Sequence, residues 1–256
     1  IDVTEGTWLS IDVSPDGQTL IFDLLGDLYL LDIAGGAARS LTSGLAWDIQ
    51  PRFSPDGKQV VFISDRAGGG NVWVMTLASG ALKQITKESF RLLNSPVWHP
   101  NGQFIAAKKH FTTSRSLGTG EIWLYDATLP APSDGVELVA RPNKNYQKEL
   151  GEPAFSADGE TLFYTQSATS GNTFIYHDDS HGGLFQIKQL DLKTGETDVV
   201  AGGYGGAVRP VPSPDGQHLA YVKRVRSESR LFVMDLDSQA ERMLVDDLDP
   251  DMQETR

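Results

Sequence analysis

Cysteine is absent from the 256 residues, which removes disulfides, thiolate zinc sites and cysteine nucleophiles from consideration and leaves the compartment open. Long apolar runs are missing as well. The longest are strand-sized, so the sequence offers no membrane-spanning helix. No extended stretch shows helical periodicity. Positive charge is scarce, with 22 Lys and Arg against 34 Asp and Glu and a formal net charge of −12. A field of that sign repels polyphosphate at long range and argues against nucleic acid or membrane insertion. The local exception is Lys223, Arg224, Arg226 and Arg230, which reads as a solvated strand edge carrying gatekeeper charges. The chain starts at Ile1 without a methionine or an apolar leader, which fits a mature, trimmed or excised product.

What is present is a repeat. Ser14-Pro15-Asp16-Gly17 recurs as Ser54-Pro55-Asp56-Gly57, His99-Pro100-Asn101-Gly102, Ser156-Ala157-Asp158-Gly159 and Ser213-Pro214-Asp215-Gly216. Proline presets φ, Asp or Asn bonds its own backbone, and glycine takes the positive-φ site that closes a tight hairpin. Each copy leads into a β-rich run such as Val60-Val61-Phe62-Ile63 or Leu162-Phe163-Tyr164-Thr165. Two further strands follow each run. Four short strands at this spacing predict an all-β propeller of five four-stranded blades, at about residues 7–44, 46–88, 92–141, 150–203 and 207–247, within one domain over 1–256.

The repeated turn resembles that of the TolB-like propeller family, and Ser64-Asp65-Arg66 followed by Asn71-Val72-Trp73-Val74-Met75 is especially similar. Arg91-Leu92-Leu93-Asn94, the run from Lys108 to Trp123, and Gly205-Gly206-Ala207-Val208-Arg209-Pro210 resemble the propeller that precedes the catalytic barrel in exported bacterial amidohydrolases. That second resemblance implies an accessory propeller that gates or positions substrate for a metal-dependent hydrolase. No cofactor is expected in this chain; a divalent metal such as zinc belongs to a catalytic domain beyond Arg256. The first resemblance implies instead a protein–protein interaction module of the bacterial envelope. Both imply a periplasmic or secreted protein, with a catalytic domain or another protein chain as partner. A five-bladed glycoside-active enzyme is the weaker alternative.

Residues 1–6 read as the outer strand of a closing blade, while Leu248–Arg256 reads as a link into a further one. The expected ring therefore has six or seven blades. An open ring of blades leaves two apolar faces bare, forfeiting on the order of 10–20 kcal/mol at roughly 1.5–3 kcal/mol for each large side chain. The expectation is that more of the chain, another chain or a tight five-fold closure covers them.

Aligned on the turn, the first inner-strand position holds Ser10, Gln50, Ser95, Glu152 and Arg209. This polar set predicts a ring at a channel mouth, either satisfying backbone and trapped water or taking a peptide, small molecule or partner. Glu152 and Arg209 lie in successive blades and can pair. Two excursions, Lys109–Gly120 and Gln166–Gly183, join second to third strands. Together with Arg91, Asn94, Lys109, His110, Arg115 and Tyr146 they predict one contact face. His177-Asp178-Asp179-Ser180-His181 is too loosely spaced for a metal assignment, and no metal site is assigned. The turn aspartates are accounted for by turn chemistry rather than calcium. No Gly-x-Ser-x-Gly elbow, phosphate loop or His-Glu-x-x-His helix occurs, and no catalytic residue is assigned. A glycosidase needs two facing carboxylates, whereas the mouth offers Glu152 with Asp12 two steps deeper.

Overall fold

The computed structural model describes residues 3, 5–6, 9–113, 117–130, 132–179, 182–226 and 228–246. Ile1, Asp2 and Thr4 of the expected closing strand, Arg115, and the expected link Leu248–Arg256 lie outside the described residues. Among those described there is no helix, and the strands form five four-stranded antiparallel sheets, each in sequential order. The fold class is the β-propeller, with five blades present.

The first blade holds β1 (Ile11–Val13), β2 (Thr19–Leu24), β3 (Asp27–Asp32) and β4 (Arg39–Ser40). The second holds β5 (Asp48–Phe53), β6 (Gln59–Ser64), β7 (Asn71–Thr76) and β8 (Ala81–Gln84). Next come β9 (Leu93–Trp98), β10 (Phe104–Thr112), β11 (Gly118–Asp126) and β12 (Val136–Val139). The fourth has β13 (Leu150–Phe155), β14 (Thr161–Ser167), β15 (Phe185–Asp191) and β16 (Thr197–Ala201). Last are β17 (Val208–Pro212), β18 (His218–Val225), β19 (Glu228–Asp235) and β20 (Glu241–Val245). The chain divides into two compact units. One comprises the residues up to His110 with Trp123–Leu138; the other comprises Phe111–Ile122 with the residues from Val139 onward.

The repeated turn works as its residues dictate. Ser54 Oγ donates to Asp56 Oδ1 at 2.7 Å and accepts the Gln59 amide at 2.9 Å, while Asp56 Oδ1 also takes the Lys58 amide at 3.1 Å. The same pattern recurs at Ser14, Ser156 and Ser213. In the third copy Asn101 Oδ1 takes the Gln103 amide as Asp56 takes that of Lys58, while His99 Nδ1 accepts the Asn101 amide. The closing glycines have φ between 68° and 75°, which glycine adopts without steric cost.

Burial follows from blade position. In the second blade Val60, Phe62 and Met75 pack with Ile21, Leu28 and Phe53 on one side. Val61, Ile63, Val72 and Val74 pack with Trp98 and Ile105 on the other. The first blade is buried on the Ile21 side alone. On its opposite side Leu20, Phe22, Tyr29 and Leu31 are half-buried, and Ile11 and Val13 remain exposed at 51% and 48%. In the last blade Leu219, Tyr221 and Met234 are buried, whereas Val211 on the other side is 61% exposed.

One sequence expectation is corrected here. The Lys109–Gly120 excursion is mostly strand: β10 and β11 run on to Thr112 and from Gly118, and the Thr113 amide bonds the Leu117 carbonyl. The hairpin lengthens because Gly118 lets the backbones close tightly; a Cβ there would lie 1.9 Å from the Phe111 carbonyl oxygen.

Candidate interaction surface

Four of the five aligned inner-strand residues share an unexpected conformation. Gln50, Ser95, Glu152 and Arg209 have φ of 56°, 51°, 53° and 57°. Such values in non-glycine residues cost about 1–3 kcal/mol each and persist where surrounding structure holds them. Each sits where the pairing register of its strand shifts, a β-bulge. Each also precedes a buried proline, Pro51, Pro96, Pro153 or Pro210, whose missing N–H suits a position left out of the ladder. Ser10, followed by Ile11, is not among the residues with left-handed φ.

The amides of Gln50, Ser95 and Arg209 point at acceptors from the preceding blade. In the first unit Asp23 is the hub: Oδ1 takes the Ser10 amide at 2.8 Å and Oδ2 takes the Gln50 amide at 2.6 Å. Gln50 Oε1 in turn accepts the Ser95 amide at 2.6 Å. Asp12 accepts the Phe53 amide at 2.7 Å. Burial pushes the Asp12 carboxyl up from its ordinary range, against the pull of Arg52 and two amides. In the second unit Glu152 Oε2 takes the Arg209 amide at 3.0 Å and the Thr165 hydroxyl at 2.7 Å. Arg209 Nε lies 3.6 Å from Glu152 Oε1, so the anticipated pair is formed, with the arginine side chain 62% exposed.

The other anticipated contact residues separate by environment. Lys109 and His110 lie in β10 rather than in a loop. Lys109 is 6% exposed, ion-paired with Glu88, and its Nζ stands 4.1 Å from the centre of the Trp123 ring. Asn94 is half-buried in β9 opposite Lys108, and Arg91 is half-buried just before that strand. Tyr146 is buried, and desolvation raises its hydroxyl pKa against hydrogen bonds to Gln166 and Ser167. Among the described residues no group of three or more His, Cys, Asp or Glu is placed to hold a metal. Ser180 and His181 lie outside them.

Sequence reasoning passed over three features. Asp23 and Lys148 are buried polar anchors. Large apolar side chains crowd the connections entering the second and third blades: Leu45, Trp47, Phe90 and Leu92 are 104%, 54%, 78% and 61% exposed. Trp47 is fixed against the preceding blade, where a Cβ on Gly26 would meet its ring at 2.6 Å. The clustering of these side chains between a fourth and a first strand was available as a signal.

The family described as TolB beta propeller domain matches residues 3–124. The chain is 29% identical over 165 residues to the Tol-Pal system protein TolB of Helicobacter hepaticus, covering 63% of this chain and 37% of that protein. It is 24% identical over 167 residues to the uncharacterized peptidase YuxL of Bacillus subtilis, covering 56% of this chain and 25% of that one. The chain thus spans well under half the length of these curated relatives. Among solved structures, a putative TolB from Agrobacterium tumefaciens superposes with a TM-score of 0.69 at 20% identity, over 92% of this chain and 79% of that chain. Blade topology and turn chemistry agree with these likenesses: the chain is a β-propeller, and over residues 3–124 it is similar to the TolB beta propeller domain.

Proposed function

We propose that this chain is a protein–protein interaction module of the bacterial envelope, working in the periplasm. The observation that carries the reading is its likeness to a Tol-Pal system protein across the repeated blades. The surface supports it. Clustered exposed apolar side chains on a folded scaffold mark sites that another protein covers, and Leu45, Trp47, Phe90 and Leu92 form such clusters where the chain enters its second and third blades. Within the polar positions Ser10, Gln50, Ser95, Glu152 and Arg209, backbone clamping uses the amides. The side chains with surface to offer a partner are Arg209 and, to a lesser degree, Glu152.

A second reading makes the chain an accessory propeller of a larger amidohydrolase-type enzyme, whose divalent metal would reside in another domain. Likeness to a protein named as a peptidase favours it. The test of the main reading is photocrosslinking in intact cells with p-benzoylphenylalanine at position 45 or 90. Protein adducts in the envelope fraction are expected, and their absence at both positions overturns it. Chelator-sensitive amide hydrolysis by the parent protein would establish the second reading, and a parent without such activity removes it.

A further inference from the structure

The connection between β14 and β15 spans residues 168–184, where the first blade needs only Leu25 and Gly26. Its base is held firmly. Lys148, 3% exposed, donates from Nζ to Thr169 Oγ1 at 2.6 Å and to the Ser170 carbonyl at 2.5 Å. Among the described residues this ammonium has no carboxylate within ion-pair distance. A lysine desolvated onto neutral oxygens is costly, so its role is to fix what it touches. The Gln147 amide bonds the Asn172 carbonyl at 2.8 Å, and Asn143 Nδ2 bonds Asn172 Oδ1 at 3.0 Å. At the far end the Ala168 amide meets the Leu184 carbonyl at 2.8 Å. Gly183 there approaches Gly203 so closely that a Cβ would sit 2.2 Å from its carbonyl oxygen.

Between these anchors the tip carries Phe174, Ile175 and Tyr176, which are 44%, 40% and 80% exposed. The two rings meet edge-on, 4.9 Å between centres. Three consecutive large apolar side chains on a tethered loop contribute little to any core. The loop that carries them is held at both ends, and restraint of that kind is how a preorganised docking element gains affinity. Asp178 and Asp179 follow directly, on a chain of net charge −12. Those charges oppose a second copy of the chain and an anionic bilayer, and attract a cationic rim.

We infer that the 174–176 tip inserts into an apolar pocket of a partner protein whose rim carries lysine or arginine. The inference rests on the interaction-module reading and goes beyond it by naming the element and the partner's chemistry. The test places p-benzoylphenylalanine at position 176 of the full chain in its own cells and identifies adducts by mass spectrometry. The expected result is an adduct with one protein, mapped to an apolar surface bordered by Lys or Arg. Adding Asp178→Asn and Asp179→Asn should cut the yield about fivefold, in keeping with two rim charges. Adducts only with lipid, only with another copy, or with a surface lacking cations overturn the inference, as does no adduct. If position 45 or 90 crosslinks to protein while 176 does not, this inference fails and the interaction module stands; if none of the three does, both fail.

Discussion

The two units solve one problem with different residues. In each, an inner strand turns left-handed at a bulge and aims its amide out of its own ladder. The first unit receives the Gln50 amide on Asp23, a carboxylate from the second strand that is 5% exposed, and the Ser95 amide on Gln50 Oε1, from the inner strand. The second unit receives the Arg209 amide on Glu152, from the inner strand itself, with the Thr165 hydroxyl shared between them. Asp23 and Thr165 are equivalent, each six residues after the repeated glycine (17 to 23, 159 to 165). Where the inner residue is the short Ser10, the neighbouring strand supplies the carboxylate; where it is Glu152, a hydroxyl suffices there. What is constrained is an acceptor for the amide, not a particular side chain.

The comparison can be broken most forcefully at Asp23. Asp23→Ala strands the Ser10 and Gln50 amides, at about 1–3 kcal/mol for each unsatisfied donor, so a loss of about 2–5 kcal/mol is expected in urea denaturation. An unchanged midpoint would show that the clamp contributes nothing. Glu152→Ala should cost less, about 1–2 kcal/mol, because the Arg209 amide keeps the Thr165 hydroxyl at 3.2 Å. Transplanting the first unit's solution sharpens the point. Glu152→Ser with Thr165→Asp should recover to within about 1 kcal/mol of the parent, while Glu152→Ser alone should not. If the double variant is no better than the single, the two positions are not interchangeable.

The smallest effect concerns the turns. Hydrogen bonding by the Ser54 hydroxyl, then by the Lys58 amide, holds the Asp56 carboxyl below its usual range. A depressed folded-state pKa stabilises the protein above the unfolded value of about 3.9 and loses that contribution as pH falls through the lowered one. Ser54→Ala should move the Asp56 titration upward, as followed by NMR, and shrink the acid-side loss of stability at this turn. A titration that stays in place would assign the depression to the backbone alone.

Much of this was legible from residue order because the turn's chemistry is local. Serine, aspartate and glycine act on atoms within five residues, so their pattern announces the hairpin and, by repetition, the blades. The left-handed inner residues were visible only as a polar column before proline. Gln, Ser, Glu and Arg carry no preference for positive φ, and the acceptors that hold them come from 27 to 57 positions away. The proline within a strand was the available clue, since it is tolerated only at edges and bulges. The β10–β11 extension escaped notice because its residues mix polar and apolar types without clean alternation. Lys148 and the Phe174–Tyr176 tip escaped because burial of a lysine and exposure of aromatics are properties of tertiary placement.

The repeated turns carry a consequence for solubility. Asp16, Asp56, Asp158 and Asp215 are all held ionised below the ordinary carboxylate range by their serine and amide partners. Each hairpin end they occupy therefore keeps its negative charge at a pH where an unpartnered aspartate would be protonated. Strand ends bearing that charge stay hydrated and mutually repulsive to lower pH than unpartnered aspartates would keep them, so the motif that shapes the blade also disfavours stacking of its hairpin ends against those of a neighbouring molecule.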